Sequence, residues 1–337
     1  MHAFAVEFPG PIDSHPLHLI ERPLPEPGPS QVRVRVRACG VCRTDLHLAE
    51  GDLPPQRRLI APGHEVVGIV DDVGHGAVRF QLGDRVGIAW LGRTCGSCRF
   101  CADGSENLCL EPTFTGWHRD GGFAEYAVAD EDYCYALPDE LSDEQVAPLL
   151  CAGIIGYRAL CRANLPEGGR LGLYGFGASA HLTLQLAVAR GARVHVVTRS
   201  AAARALAVDL GASTAQGAES RPPQPLDSAI LFAPAGEVVP RCLEALDRGG
   251  TLVVAGVHLS DIPPLSYAAH LFGEKDVRSV AANTRQDGVE LLDAAVRIGL
   301  RPTTAPYPML RANDALRDLA NGEIRGAAVL LNDGAFN

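Results

Sequence analysis

Cysteine, histidine and acidic residues recur in this chain at spacings that suit metal binding. Cys95, Cys98 and Cys101 are separated by two residues each, and Cys109 closes a Gly- and Asp-containing loop, Cys95-Gly-Ser-Cys-Arg-Phe-Cys-Ala-Asp-Gly-Ser-Glu-Asn-Leu-Cys109. Four thiolates can complete one tetrahedron, the closed shell that zinc takes in structural sites, with no position left for a substrate. Iron–sulfur clusters use similar spacing, but nothing else in the chain suggests electron transfer. Free or disulfide-paired cysteines are the bland alternative, and such close pairing is rare in a reducing compartment.

Three further segments hold potential ligands: Gly40-Val-Cys42-Arg-Thr44-Asp45-Leu-His47, Gly63-His64-Glu65 and Leu149-Leu-Cys151-Ala-Gly153. Two thiolates and one imidazole with a fourth place left open suit catalysis, because the open place can take water or a substrate oxygen. Read alone, His64 is an ordinary partly buried histidine and Cys151 a small core residue; their neighbours overturn that reading. Cys39, Cys134, Cys161 and Cys242 fit no ligand pattern and are expected to pack.

The 337 residues are enough for roughly two domains at about 100–200 residues each. Val32, Val34 and Val36 alternate with Arg33 and Arg35, the pattern of a half-buried antiparallel strand, and short strands with Gly/Pro turns continue to about Leu137. After Cys151 the apolar strands Leu171–Tyr174, Val194–Val197, Ala229–Phe232 and Thr251–Ala255 alternate with Ala/Leu-rich helical stretches, predicting a doubly wound parallel sheet. The tail carries helical stretches at Asp293–Ile298 and Ala312–Leu319 and a strand at Ala327–Leu331, expected to fold back onto the first half. Hydrophobic residues make up 47% and charged ones 21%, which excludes a mainly disordered chain. A net charge of −10 without a Lys/Arg block excludes a phosphate-backbone binder. No segment is long and apolar enough for a membrane span and the start of the chain is not a signal peptide, so the expected location is the cytoplasm.

Gly175-Phe-Gly177-Ala178-Ser-Ala180 follows a strand and opens an apolar helix, a modified dinucleotide fingerprint. Gly175 permits the tight turn, Gly177 lets the backbone approach a pyrophosphate, and Ala180 stands for the third glycine at the helix–strand contact. At the end of the next strand, where NAD enzymes carry an acid for the ribose 2′-hydroxyl, stand Thr198, Arg199 and Ser200. A guanidinium and two hydroxyls there favour NADP(H) over NAD(H).

Gly63-His64-Glu65-Val-Val-Gly68 with Gly74 and Ala77, then Gly83-Asp84-Arg85-Val86, the four-cysteine lobe and Cys151-Ala-Gly together resemble the zinc signature of the medium-chain dehydrogenase/reductase superfamily over nearly the whole chain. Within it the chain is most similar to bacterial zinc alcohol dehydrogenases, including the cinnamyl-alcohol-dehydrogenase-like group. The resemblance implies an α/β protein: a GroES-like, mostly-β catalytic domain over residues 1–153 with a structural zinc lobe at about 90–112, a Rossmann domain over 154–285, and a segment 286–337 returning to the catalytic domain. It implies that Cys42, His64 and Cys151 bind a catalytic zinc with Glu65 beside it, that Asp45 orients His64, and that Cys95, Cys98, Cys101 and Cys109 bind a second, structural zinc. Thr44 would touch the substrate oxygen, and the released proton would pass by way of the cofactor ribose to His47. Family members have an additional glycine where Ala178 stands, and Arg285 matches a position that contacts cofactor phosphates in several of them. The implied activity interconverts alcohols with aldehydes or ketones by hydride transfer to or from NAD(P). The rivals are reduction of activated C=C or C=N bonds on the same scaffold and a non-catalytic zinc-binding protein. Trp90, Trp117 and Phe123 are candidate pocket walls that would suit bulky or aromatic alcohols. The expected partners are a small-molecule alcohol or carbonyl compound and further copies of the chain, in a homodimer or homotetramer, with no nucleic acid and no membrane.

Overall fold

The structure, a computed structural model that describes residues 1–256 and 258–336, opens with the antiparallel pair His2–Val6 (β1) and Leu17–Glu21 (β2). Val32, Val34 and Val36 are buried while Arg35 and Arg37 are exposed, so the alternation in the sequence is the pleat of Gln31–Val41 (β3). After the helix Arg43–Glu50 (α1) come Val66–Val73 (β4), Arg85–Ile88 (β5), Leu91–Arg93 (β6), the short helix Arg99–Ala102 (α2), Thr113–Phe114 (β7), Tyr126–Asp130 (β8), Cys134–Ala136 (β9) and the helical turn Asp143–Val146 (α3). β3 is the spine of this part, antiparallel to both β4 and β8, while β5 joins β4 and β9 joins β5. Val34, Val36, Val66, Val70, Val86, Ile88 and Phe123 share one apolar core, each such side chain contributing roughly 1.5–3 kcal/mol on burial. At Gly68 of β4 a Cβ would stand 2.2 Å from the Arg35 carbonyl oxygen of β3, so only glycine fits.

A second compact unit follows. The first consists of Met1–Cys151, Ala282–Leu292 and Pro302–Asn337, and the second of Ala152–Ala281 and Asp293–Arg301. The second runs through the helix Ala152–Arg162 (α4), Arg170–Tyr174 (β10), Ala178–Ala189 (α5), Arg193–Val197 (β11), Ala201–Asp209 (α6), Thr214–Gln216 (β12), Leu226–Leu231 (β13), Val239–Ala245 (α7), Leu246–Val254 (β14) and Asp276–Ser279 (β15). Its strands are all parallel in the order β12-β11-β10-β13-β14-β15. The first strand lies inside the sheet, so the winding reverses between β10 and β13, the kind of crevice at which open α/β sheets bind ligands. Leu171, Leu173, Val194, Val196, Ile230 and Val253 are buried, as continuous apolar strands covered on both faces must be.

The helix Arg285–Ile298 (α8) begins eight residues before the Asp293–Ile298 stretch expected from periodicity. Gly288 masked its start, since glycine disfavours helix interiors. It is there because a Cβ would meet the Tyr135 ring at 2.4 Å. Asp287 compensates by accepting the Thr284 N–H at 2.7 Å and its hydroxyl at 2.8 Å, a cap on the first turn. Thr304–Pro308 (β16), Ala312–Asn321 (α9) and Ala327–Leu331 (β17) complete the chain. β17 lies between β16 and β3, pairing antiparallel with β3 from Ala328 opposite Val41 to Leu331 opposite Ala38, while Asp293–Arg301 of the tail belongs to the second unit. Cys39, Cys134 and Cys242 are buried as expected, but Cys161 is exposed at the end of α4 and is not a core residue. Among the described residues no helix is long and apolar enough to cross a membrane.

Candidate active site

β3 ends and α1 begins at Cys42, and the turn between them is fastened by an acid. Asp45 accepts the Cys42 N–H at 2.9 Å through Oδ2, closing the first turn at the helix end where negative charge is favoured. Its other oxygen accepts the Gly63 N–H at 2.9 Å and stands 3.2 Å from His64 Nδ1. Asp45 and His64 are both almost wholly buried. Gly63 has φ +97°, and a Cβ there would strike the Phe123 ring at 2.6 Å; a Cβ on Gly40 would overlap Glu65 Oε2. Both glycines are thus demanded by what packs beside them.

This scaffold gathers one donor atom from each of Cys42, His64, Glu65 and Cys151, all within 4.8 Å of one another. The donor set fits zinc. Sulfurs at about 2.3 Å from a central ion stand about 3.8 Å apart on a tetrahedron, and Cys42 Sγ lies 4.0 Å from Cys151 Sγ. With Nδ1 beside Asp45, the buried His64 Nε2 finds no hydrogen-bond partner among the described residues; a metal ligand needs just such a nitrogen, its ring fixed by a carboxylate behind it. Contact with the Cys151 thiol holds Cys42 well below the ordinary thiol range, and Cys42 in turn pushes Cys151 well above it. For His64 burial opposes the charged ring, but Asp45 outweighs it and the net direction is upward.

Thr44 and His47 lie one turn apart on α1, with Thr44 Oγ1 3.8 Å from Cys42 Sγ and His47 Nδ1 2.9 Å from Asp52 Oδ2. The Trp90 ring meets His64 edge-on at 4.9 Å. Trp90, Phe114 and Trp117 stack in near-parallel planes with centroids 4.8–6.1 Å apart, forming an apolar wall beside the cluster. Phe123 is completely buried and is core, not wall.

The second cluster, Cys95, Cys98, Cys101 and Cys109, also lies within 4.8 Å. Its sulfur separations of 3.5, 3.6 and 4.0 Å match the tetrathiolate tetrahedron. Backbone N–H groups of Cys98 and Cys95 donate to Cys95 Sγ and Cys109 Sγ at 3.3 Å each. Donation of this kind, from Ser97 first, brings the Cys95 thiol down to about 6, whereas burial pushes Cys109 up to about 11. Glu106, inside the lobe, accepts the Arg285 N–H at 2.7 Å and its guanidinium at 2.7–3.1 Å. Arg285, expected at the cofactor phosphates, has its fork engaged by this carboxylate and lies over the Tyr133 ring.

In the second unit Gly175, at φ +85°, could bear no Cβ, which would stand 2.8 Å from the Ala233 nitrogen. Gly177 differs: its backbone is extended and a Cβ would meet nothing within 4 Å. The first glycine serves the fold and the second leaves room for something else. Ala178 starts α5 and Ala180 is buried on it. Thr198 is buried and Arg199 exposed, while Ser200 accepts the Ala203 N–H at 3.2 Å as the cap of α6. Arg204 donates to the carbonyls of Thr198 and Arg199 at 3.0 and 2.7 Å, setting that turn. Phe114, Glu106, Asp52 and Arg204 were not singled out from sequence, because each gains its meaning from a spatial neighbour and none sits in a spacing motif.

Asp45→Ala is expected to leave the Cys42 and Gly63 N–H groups without acceptors at about 1–3 kcal/mol each, with Asp45→Asn costing less. Denaturant unfolding checks it; equal stability of wild type and Asp45→Ala would show that the carboxylate does not hold the site. Gly177→Ala is expected to keep its stability within about 0.5 kcal/mol yet bind dinucleotide at least about tenfold more weakly, since the backbone must approach the pyrophosphate. An unchanged dissociation constant in calorimetry would refute that assignment.

Residues 28–139 match the family model described as alcohol dehydrogenase GroES-like domain, and residues 180–297 match zinc-binding dehydrogenase. The chain is 56% identical to a Mycobacterium tuberculosis protein named probable alcohol dehydrogenase AdhA, covering 98% of this chain and 97% of that one. It is 39% identical to an alcohol dehydrogenase of Geobacillus stearothermophilus over 92% of this chain and 94% of the other. Among solved structures it is similar to cinnamyl alcohol dehydrogenase SbCAD4 of Sorghum bicolor, with TM-score 0.87, 30% identity and coverage of 98% and 96%. A cysteine–histidine cluster on a mostly-β unit and a glycine loop on a parallel sheet therefore place the chain in the alcohol dehydrogenases of the medium-chain dehydrogenase/reductase superfamily, which interconvert alcohols and carbonyl compounds with NAD(P).

Proposed function

We propose that the chain is a zinc-dependent dehydrogenase of allylic and benzylic alcohols that carries two zinc ions and prefers NADP(H). The observation that carries the reading is the buried His64 Nε2, without a hydrogen-bond partner among the described residues and grouped with the Cys42 and Cys151 sulfurs. Cys42, His64 and Cys151 would hold the catalytic ion with Glu65 within reach, and Cys95, Cys98, Cys101 and Cys109 the structural one. Bound at the first site, zinc supplies the Lewis acidity that lets an alcohol ionise near neutral pH. Thr44 holds the substrate hydroxyl and passes its proton toward His47, one helical turn away. The stacked Trp90, Phe114 and Trp117 favour flat, conjugated substrates by burying their faces, in keeping with the name of the Sorghum relative.

The cofactor preference rests on the turn after β11. No acid stands there to bind a ribose hydroxyl; Arg199 is exposed for a 2′-phosphate, Thr198 and Ser200 flank it, and Arg204 fixes the carbonyls beneath. Gly175, Gly177, Ala178 and Ala180 would carry the pyrophosphate. Arg285 is left out of this site because Glu106 holds it. Self-association is supported by β15, which has no described strand on its outer side and has exposed Val277 on it and exposed Tyr267 and Phe272 in the segment before it. Such an edge pairs readily with a copy of itself across a twofold axis, giving a homodimer or, with a second interface, a homotetramer.

Freshly purified protein is expected to hold close to two zinc ions per chain and to use NADPH better than NADH. A charged hydrogen bond worth roughly 1.5–3 kcal/mol corresponds to about ten- to a hundredfold in kcat/KM, and Arg199→Ala should remove most of it. Metal analysis finding one ion or none, or a wild-type preference for NADH, would remove the corresponding half of the reading. Assaying cinnamaldehyde for the alcohol against the saturated aldehyde separates carbonyl reduction from C=C reduction. Sedimentation should find dimers or tetramers, and Val277→Asp should shift them toward monomer; a monomeric wild type at micromolar concentration contradicts the edge assignment.

A further inference from the structure

β7, which carries Phe114 of the aromatic wall, is two residues long and pairs with β6 in an irregular register. So short a ladder does not hold a ring in place by itself. His118 supplies what is missing. It closes the tight turn 116–118, in which the Gly116 N–H donates to the Arg119 carbonyl at 2.8 Å. From there it grips Phe114 twice: its main-chain N–H donates to the Phe114 carbonyl at 2.9 Å, and its ring Nδ1 accepts the Phe114 N–H at 3.2 Å. The same ring lies 5.6 Å from the Phe114 ring and meets Trp117 edge-on at 4.4 Å. Trp117 is pinned a second time through Nε1, which donates to the Pro54 carbonyl at 2.9 Å. An acceptor at Nδ1 puts the proton on Nε2 and needs a neutral imidazole; burial lowers the His118 pKa from its usual value, in the same direction.

We propose that His118 is a positioning residue for substrate choice: by holding the Phe114 backbone and the Trp117 ring together, it fixes the face that the stacked wall offers to a flat, conjugated alcohol. The inference rests on the reading of that wall as the substrate's surface. Dispersion falls steeply with separation, so a ring displaced by about 0.5–1 Å forfeits about a quarter to a half of its contact with a planar guest. A short aliphatic alcohol covers little of the wall and loses little. Thr44 and the zinc-binding side chains make no contact with the His118 ring among those described above, so the effect belongs to binding and appears in KM, not in kcat.

The test compares full-length, metal-loaded wild type with His118→Asn, whose Oδ1 takes the place of Nδ1 as acceptor, and with His118→Leu, which has none. For His118→Leu the KM for cinnamyl alcohol is expected to rise about three- to tenfold, the scale of one lost hydrogen bond, with kcat unchanged and the constants for 1-propanol within about twofold. His118→Asn should recover most of that loss. Trp90 and Trp117 are the two tryptophans of the chain and both belong to the wall, so near-ultraviolet circular dichroism reads its arrangement without turnover. The tryptophan bands should change in His118→Leu and return toward wild type in His118→Asn. Should His118→Leu fail to fold, His118→Gln, whose acceptor stands one bond further out, takes its place. Equal losses for cinnamyl alcohol and 1-propanol, or unaltered constants and bands, overturn the assignment. Trp117→Leu with an unchanged KM for cinnamyl alcohol overturns instead the wall as the substrate's surface; a lost preference in Trp117→Leu beside an unaffected His118→Leu overturns the role of His118 alone.

Discussion

The Asp45 carboxylate is what sets Cys42 and His64 of the first unit against each other. Three groups from two separate loops converge on its two oxygens: the Cys42 N–H, the Gly63 N–H and the His64 ring. A buried acid is costly unless it is fully partnered, and here its partners are the backbone and ring that set Cys42 and His64 side by side. The stabilisation of the charge and the geometry of the ligand set are one interaction. That also explains why two glycines surround it: Gly63 and Gly40 yield the space that Phe123 and Glu65 occupy. Loss of Asp45 would be felt as loss of shape before loss of charge.

The second unit separates its demands more cleanly. Gly175 is required by its own backbone and its neighbour Ala233, whereas nothing in the protein requires Gly177. A glycine with no internal reason leaves space beside it, and in a strand-to-helix turn above a parallel sheet such space lies where a helix N-terminus favours an anion. His181, one turn into α5, is buried and pushed down to about 4 by that burial.

Much of this was legible in the residue order. The cysteine spacing, the Gly-His-Glu segment and the glycine loop are local patterns, and so are the four central strands of the parallel sheet, whose apolar runs need no partner to be recognised. What stayed hidden is non-local. The first turn of α8 was lost because Gly288 answers to Tyr135, more than a hundred residues earlier in the chain. Arg285 resembles a phosphate contact in sequence, but Glu106 engages it, and Phe123 resembles a pocket wall, but it is wholly buried. Cys161 shows the converse: no spacing tells whether a helix residue faces in or out when the helix is nearly all apolar.

The place of β17 carries a consequence for how the protein is made. This strand, the last among the described residues, lies inside the larger sheet and hydrogen-bonds β3 at Ala38–Val41, immediately before Cys42. During synthesis the strand that leads into the Cys42 cluster emerges well before β17 and keeps that part of its edge open until Ala327–Leu331 has followed. The parallel-sheet unit, Ala152–Ala281 with Asp293–Arg301, has all its strands before then and can fold first. The nascent first half, with the eight side chains of its two clusters and one stretch of β3 edge still open, must wait for β17, and a nonsense codon between Val41 and Ala327 would leave that edge open to aggregation.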